Sequence, residues 1–199
     1  MEFAQELENI RHELTFSEQD FHTLVEAYDV RDKEREELIV ASRSVIKLAK
    51  QLIYALHRSD LEKAEQLVEE LKSSSLAVLA LPVGARSAAV QEAIEALAFY
   101  YYRKNFSLVT YACANEFFSC TDEDYLLGLA DFGGELVREA TNAAIASNVS
   151  GVMRAKVFVE ELYKNFIRFD FRNSELRKKT DALRWHTQKI DELLVAMKR

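Results

Sequence analysis

One proline in 199 residues leaves this chain almost nowhere that the backbone is forced out of a helix. Only five glycines accompany it, and much of the remainder is Ala, Leu, Glu and Lys, which favour helix. The chain therefore reads as all-α, with no convincing strand and no Gly-rich loop after one, which sets aside the nucleotide-cofactor folds. The apolar spacing divides it into helices. Residues 2–14 carry Phe3, Leu7, Ile10 and Leu14 on one side, and Thr15 or Ser17 then caps a long helix to about His57. Ser59 to Glu62 has the form of a capping box and opens a third helix to about Leu79. Leu81-Pro82-Val83-Gly84 is the clearest break.

An unusually apolar helix is expected from Ser87 to about Phe118, bearing Phe99-Tyr100-Tyr101-Tyr102. Aromatics at that density need cover on more than one face, in a core or a subunit interface, with base stacking as the less favoured use. Thr121 to Asp124 forms a second capping box for a helix to about Ser147. Ser150 caps the next, to about Phe169, and Asn173 or Ser174 the last, to about Met197. This makes seven helices in a single domain spanning 1–199. Short connections predict antiparallel neighbours in a bundle.

Three of the five glycines fall inside one helical segment, Asp124 to Arg138. Each costs about 1 kcal/mol there relative to Ala, so each needs a reason. Gly133 and Gly134 lie between Asp131 and Glu135, where a Cβ would push a neighbouring helix away. Those two acids, four apart, share a helix face, and Glu92 and Glu95, three apart, share one on another helix. Both pairs sit among apolar residues. If they meet, four carboxylates cannot all stay ionised without a counter-cation, and an oxygen-only set suits Mg²⁺ or Mn²⁺. The alternative is four solvated acids that never meet. No Glu-x-x-His pair exists to suggest a di-iron centre.

Charge and cysteine usage narrow the classes further. The formal charge is −7, but it divides: 14 Lys/Arg against 26 Asp/Glu in residues 1–149, and 12 against 7 in 150–199. A basic final quarter on an acidic chain leaves a polyanion partner open. Arg31 to Glu37 is mixed-sign and reads as a solvated face. Arg35, Arg43 and Lys47, presented by one helix, are candidates for phosphate contact. Cys113 and Cys120 read as packing residues of a reducing compartment. The four histidines, 12, 22, 57 and 186, show no metal or triad spacing and read as scattered surface or interface residues. No apolar leader or spanning segment is visible, so a soluble cytoplasmic protein is expected.

The segment from Asp124 to Arg138 resembles Asp-Tyr-Leu-Leu-Gly-x-Ala-Asp-x-x-Gly-Glu-Leu of the translin superfamily, in its translin-associated factor X branch. Gln91-Glu92-x-x-Glu95-Ala96 is similar to that branch's Gln-Glu-x-x-Glu-Ala. Lys33-Glu34-Arg35 through Ser42-Arg43 to Leu56-His57-Arg58 is similar to its charged helix ending in Leu-His-Arg. The resemblance implies a seven-helix protomer assembling into a closed hollow homo-oligomer, a hexamer to an octamer, that binds RNA or single-stranded DNA. It also implies that Glu92, Glu95, Asp131 and Glu135 are catalytic and hold Mg²⁺, giving an endoribonuclease acting on single-stranded RNA or on strands of an RNA duplex. The chain differs in having Gly134 as well as Gly133 and in lacking a basic N-terminal extension. The need for a translin-like partner subunit stays open. Two other readings stand beside this one: a non-catalytic oligomer that binds single-stranded RNA or DNA, and a helical scaffold whose acids are incidental.

Overall fold

The computed structural model describes residues 2–13, 17–74 and 83–198. Among them are eight α-helices and no strand: α1 (Glu2–Glu13), α2 (Glu18–His57), α3 (Leu61–Ser73), α4 (Val83–Asn105), α5 (Tyr111–Phe118), α6 (Asp122–Ile145), α7 (Val149–Phe166) and α8 (Glu175–Ala196). The all-α expectation holds. Leu14, Thr15, Leu79, Leu81 and Pro82, which carried predicted ends and the clearest predicted break, lie outside the described residues; Gly84 falls inside α4.

The chain forms two compact units, Met1–Glu37 and Leu38–Arg199. In the first, Phe3, Ile10, Phe21, Leu24, Val25 and Tyr28 are exposed, as is the charged run from Arg31 to Glu37. The second holds the core. On α2, Val45, Ala49, Leu52 and Leu56 repeat at helical spacing and are fully buried; on α3, Ala64, Leu67, Val68 and Leu71 do the same. The most heavily packed helix is α6, set against α4, α7 and α8.

The predicted helix from Ser87 to Phe118 is two helices. It stops after Asn105, where Phe106 adopts a left-handed φ of 52°. It restarts at Tyr111 under a Thr110 cap whose hydroxyl accepts from Cys113 N at 3.2 Å. Among the described residues, four left-handed ones, Ser59, Phe106, Ser119 and Ser147, mark helix ends, and none is glycine. The usual glycine signal for a helix end is therefore missing from the sequence. Two predicted caps move for related reasons. With Ser59 left-handed, Asp60 caps α3 by accepting from Lys63 N; Asn148, not Ser150, caps α7 by accepting from Gly151 N. Thr121 and Ser174 cap α6 and α8 as expected, with both arms of the Thr121–Asp124 capping box in place.

The return through α5 has a topological consequence. Ser87 and Gln91 meet Asp124, Ile94 meets Gly128, Phe99 meets Phe132 and Arg103 meets Glu139. The register climbs together, so α4 and α6 run parallel, against the antiparallel expectation. Successive helices α6 and α7 do reverse, with Phe132 on Phe158 and Ala143 by Gly151. The aromatic run is core: Phe99 and Tyr102 are buried and pack with Phe132, and Tyr102 and Phe132 also pack on the edge of Phe158.

Candidate metal and nucleic-acid site

The site is set by how closely α4 and α6 approach at one level. Asp124, in the first turn of α6, is buried and accepts from Ser87 Oγ and from Gln91 Nε2, the latter at 3.1 Å. Burial alone would raise its pKa; the hydrogen bonds from Ser87, Gln91 and Thr121 outweigh it and hold the carboxyl below the usual range. One turn on, a Cβ built on Gly128 would stand 2.7 Å from the Gln91 carbonyl oxygen and 2.8 Å from Ile94 Cβ. Gly128 is therefore the close-approach glycine of this pair of helices. Of the two glycines between the acids, Gly133 faces α8, where a Cβ would overlap Leu183 Cδ2 and stand 3.1 Å from His186 Nδ1. Gly134 has room, with His186 Cε1 at 3.9 Å, so the expectation that both exclude a Cβ holds only for Gly133.

At and above the level of the Gly128 contact, α4 presents Glu92 and Glu95 and α6 presents Asp131 and Glu135. Glu92, Glu95 and Glu135 line one pocket of about 360 Å³ together with Lys50, Tyr54 and Arg138. Glu95 has neither an ion pair nor a hydrogen bond among the described residues. Burial, then the like charges of Asp131, Glu135 and Glu92, push its pKa up to about 8, against the opposing charge of Lys179. The four acids thus share one electrostatic neighbourhood, with Glu95 at its centre.

The other three acids are engaged by cations of the chain itself. Glu92 Oε1 is 3.5 Å from Lys50 Nζ, and Asp131 Oδ1 accepts from Lys179. Glu135 Oε2 is 2.5 Å from His57 Nε2 and 3.7 Å from Arg138 Nη1. The sequence reading placed none of these four cations at the acids. His57 was expected at a surface or interface, yet its side chain is 5% exposed. Its Nδ1 lies 3.6 Å from Glu139 Oε2, too far for a hydrogen bond, and Glu139 also pairs with Arg103. Burial works against protonation of His57, but the two glutamates prevail and its pKa is raised. Glu139 is correspondingly lowered, its burial outweighed by His57 and Arg103. His186 is half-buried with Nδ1 unpartnered, and burial lowers its pKa; His12 and His22 are exposed, as expected. Position in the chain gave no sign of these roles, because His57 and His186 reach the acids only through the packing of α2 and α8 on α6.

The donor chemistry fits a hard divalent cation: four carboxylates, one of them cation-free and repelled by the rest. As they stand, no three His, Cys, Asp or Glu side chains among the described residues converge closely enough to ligate one ion. Three of the acids are each paired instead with a cation of the chain, Lys50, Lys179 or His57.

The candidate phosphate contacts separate. Arg43 and Lys47 are exposed on α2 in a groove against α3, while Arg35 is exposed on α2 within the first unit. The basic final quarter is largely spent in ion pairs, among them Lys156 with Glu160 and Asp191, Arg177 with Asp181, Lys178 with Glu175, and Lys179 with Asp131. Cys120 is buried and Cys113 half-buried, both as free thiols. No helix among the described residues is long and apolar enough to cross a membrane.

The Translin family model matches residues 83–198, a span that holds all four acids. A Methanocaldococcus jannaschii protein, the uncharacterized protein MJ0175, is 33% identical over 162 residues, 77% of this chain and 72% of that protein. Gallus gallus translin is 36% identical over 72 residues, covering 36% of this chain and 31% of the chicken protein. Among solved structures, apo-NeC3PO superposes with a TM-score of 0.77 at 27% identity, over 92% of this chain and 99% of that one. AfC3PO in complex with duplex RNA gives 0.74 at 23%, over 90% and 96%, a likeness of fold. By sequence across more than half its length and by the arrangement of its helices, this chain belongs to the translin family.

Proposed function

We propose that this protein is a divalent-metal-dependent endoribonuclease of the factor X type, with Glu92, Glu95, Asp131 and Glu135 as its metal-binding and catalytic acids. The observation that carries the reading is Glu95: a carboxyl pushed up to about 8 by burial and three neighbouring acids, with no cation of its own. Such a group costs stability unless it serves something. Mg²⁺ or Mn²⁺, when bound, would neutralise charge at the phosphate and lower the pKa of a water. The chain's own residues do the rest. Lys50 and Arg138, in the wall of the same pocket, offset the charge of the phosphodiester. One of the glutamates, not fully engaged with the metal, takes the proton of the attacking water. Water adds to phosphorus, one P–O ester bond breaks, and the leaving oxygen takes a proton from solvent.

The substrate is RNA, as single strands or strands of a duplex; the AfC3PO structure holds duplex RNA. The protein works as an oligomer of its own copies, which would cover Ile145, Met153, Val157 and Trp185, all exposed in the single chain. A second reading, a shell that binds single-stranded RNA or DNA without cutting it, is favoured by one observation: Lys50, Lys179 and His57 already satisfy three of the four acids. Cleavage of a fluorescent single-stranded RNA with Mg²⁺ or EDTA separates the two. Glu95→Gln and Asp131→Asn should each lose Mg²⁺-dependent cleavage at least about a hundredfold, because an amide keeps the shape but not the charge that holds a hard cation. RNA affinity and oligomer size should be retained. Full activity in both purified variants would overturn the proposal.

A further inference from the structure

The acid pocket does not end at the acids. Through Lys50 and Tyr54 it continues into a larger groove of about 710 Å³ between α2 and α3. Five cations line that groove, Arg43, Lys47, Lys50, Arg58 and Lys63, against two acids, on a chain whose overall charge is −7. Arg43, Lys47, Lys50, Tyr54 and Arg58 recur at intervals of three and four, so they form one stripe along α2. From Arg43 to Tyr54 the stripe runs about 16 Å, a few nucleotides of strand. Neither Arg43 nor Lys47 pairs with an acid among the described residues. Tyr54, at the junction of groove and pocket, is 58% exposed, with the Arg58 guanidinium 5.6 Å from its ring centre. A tyrosine left uncovered between a cationic track and a carboxylate cluster matches the requirements of single-strand binding: charge for the backbone and a flat face for a base.

We infer that the α2–α3 groove carries the single strand into the acid pocket, and that Tyr54 is a positioning residue which stacks a base beside the scissile phosphate. This rests on the nuclease reading above and names where its substrate lies. The strand follows the stripe with its phosphates on Arg43 and Lys47, and Tyr54 sets the register at which Glu92, Glu95 and Glu135 meet the backbone.

The test uses a short fluorescein-labelled oligouridylate in EDTA, with binding read by anisotropy across a salt series, and the same strand with abasic sites as a second probe. Arg43→Gln with Lys47→Gln should flatten the dependence of log affinity on log salt by about 1.4, because two phosphates of the single strand are no longer neutralised. Tyr54→Leu should weaken binding about five- to a hundredfold. Tyr54→Phe should stay within about twofold, and the abasic strand should erase the difference between the two. Lys164→Gln, on α7 and paired with Glu161, should match wild type. Circular dichroism confirms that each variant is folded. Wild type that binds and cleaves while the groove variants keep its affinity and salt slope would overturn the groove and leave the nuclease reading standing. Wild type that neither binds nor cleaves at low salt would overturn both.

Discussion

Replacing Glu95 by glutamine should stabilise the metal-free protein, and only above mildly acidic pH. The folded state holds the Glu95 proton to about pH 8, whereas an unfolded chain releases it near 4.5. The folded protein therefore binds more protons than the unfolded one across that window, so stability falls as pH rises through it and is flat beyond. A tenfold change in proton affinity is worth about 1.4 kcal/mol, which puts the full cost of ionising Glu95 at no more than about 5 kcal/mol. Movement of Lys179 and of pocket water toward the new charge reduces this to about 2–3 kcal/mol. Glutamine has the shape of the protonated acid and never ionises. Urea unfolding in EDTA, followed by circular dichroism, should give Glu95→Gln and wild type nearly equal stability at about pH 4, with the variant ahead by about 2–3 kcal/mol at about pH 8.5. Added Mg²⁺ should then stabilise wild type at pH 8.5 and leave the variant nearly unmoved. A difference that does not change with pH, or a variant that is weaker at pH 8.5, would refute the argument that the other three acids act on Glu95.

Two further substitutions test the packing beneath and beside the acids. Gly128→Ala needs α4 to retreat by several tenths of an ångström to restore a 3.4 Å contact with Gln91 and Ile94. It should cost about 1–2 kcal/mol net, after the gain in helix propensity is set against overpacking, whereas Gly134→Ala should gain up to about 1 kcal/mol; thermal melts of both decide it. His57→Ala should cost about 2 kcal/mol below pH 6, because it removes the charged partner from Glu135 and Glu139. The raised His57 pKa means that its charge contribution is complete below about 6.5 and is lost as pH rises through its folded value. In the same unfolding assay the gap between wild type and variant should therefore narrow at alkaline pH to the cost of the lost packing on Phe99.

The parts legible in the sequence were those written in local chemistry. Apolar spacing marked out most of the helices, though the apolar residues it picked at the start of the chain, among them Phe3, Ile10, Phe21 and Leu24, are exposed. The Thr121 box and the Ser174 cap marked helix starts, because a cap is a contact between residues three apart. Helix ends were less legible, since Ser59, Phe106, Ser119 and Ser147 take the left-handed conformation that glycine would have announced. The unannounced turn at Phe106 made two helices of one predicted helix and reversed the relative direction of α4 and α6. Spacing put Glu92 with Glu95 and Asp131 with Glu135, but nothing local could show that the pairs face one another. Lys179 meets Asp131 from 48 residues away and His57 meets Glu135 from 78, and neither carries a signal at such separations.

Parallel α4 and α6 explain how two short motifs make one site. In an antiparallel pair, a contact fixed at Asp124 would set the later residues of the two helices moving away from each other. Here both climb in the same direction from the level of Ser87 and Asp124, so that contact also fixes the level of every later pair. Asp124 and Gly128 then set the spacing beside Glu92 and just below Glu95 and Asp131, and Arg103 with Glu139 closes the same seam above. The glycine and the buried aspartate are needed for distance, and the acids for charge. A change at Gly128 should therefore alter the Glu95 pKa without touching any charged residue, since moving α4 outward admits water and weakens the repulsion that raises it.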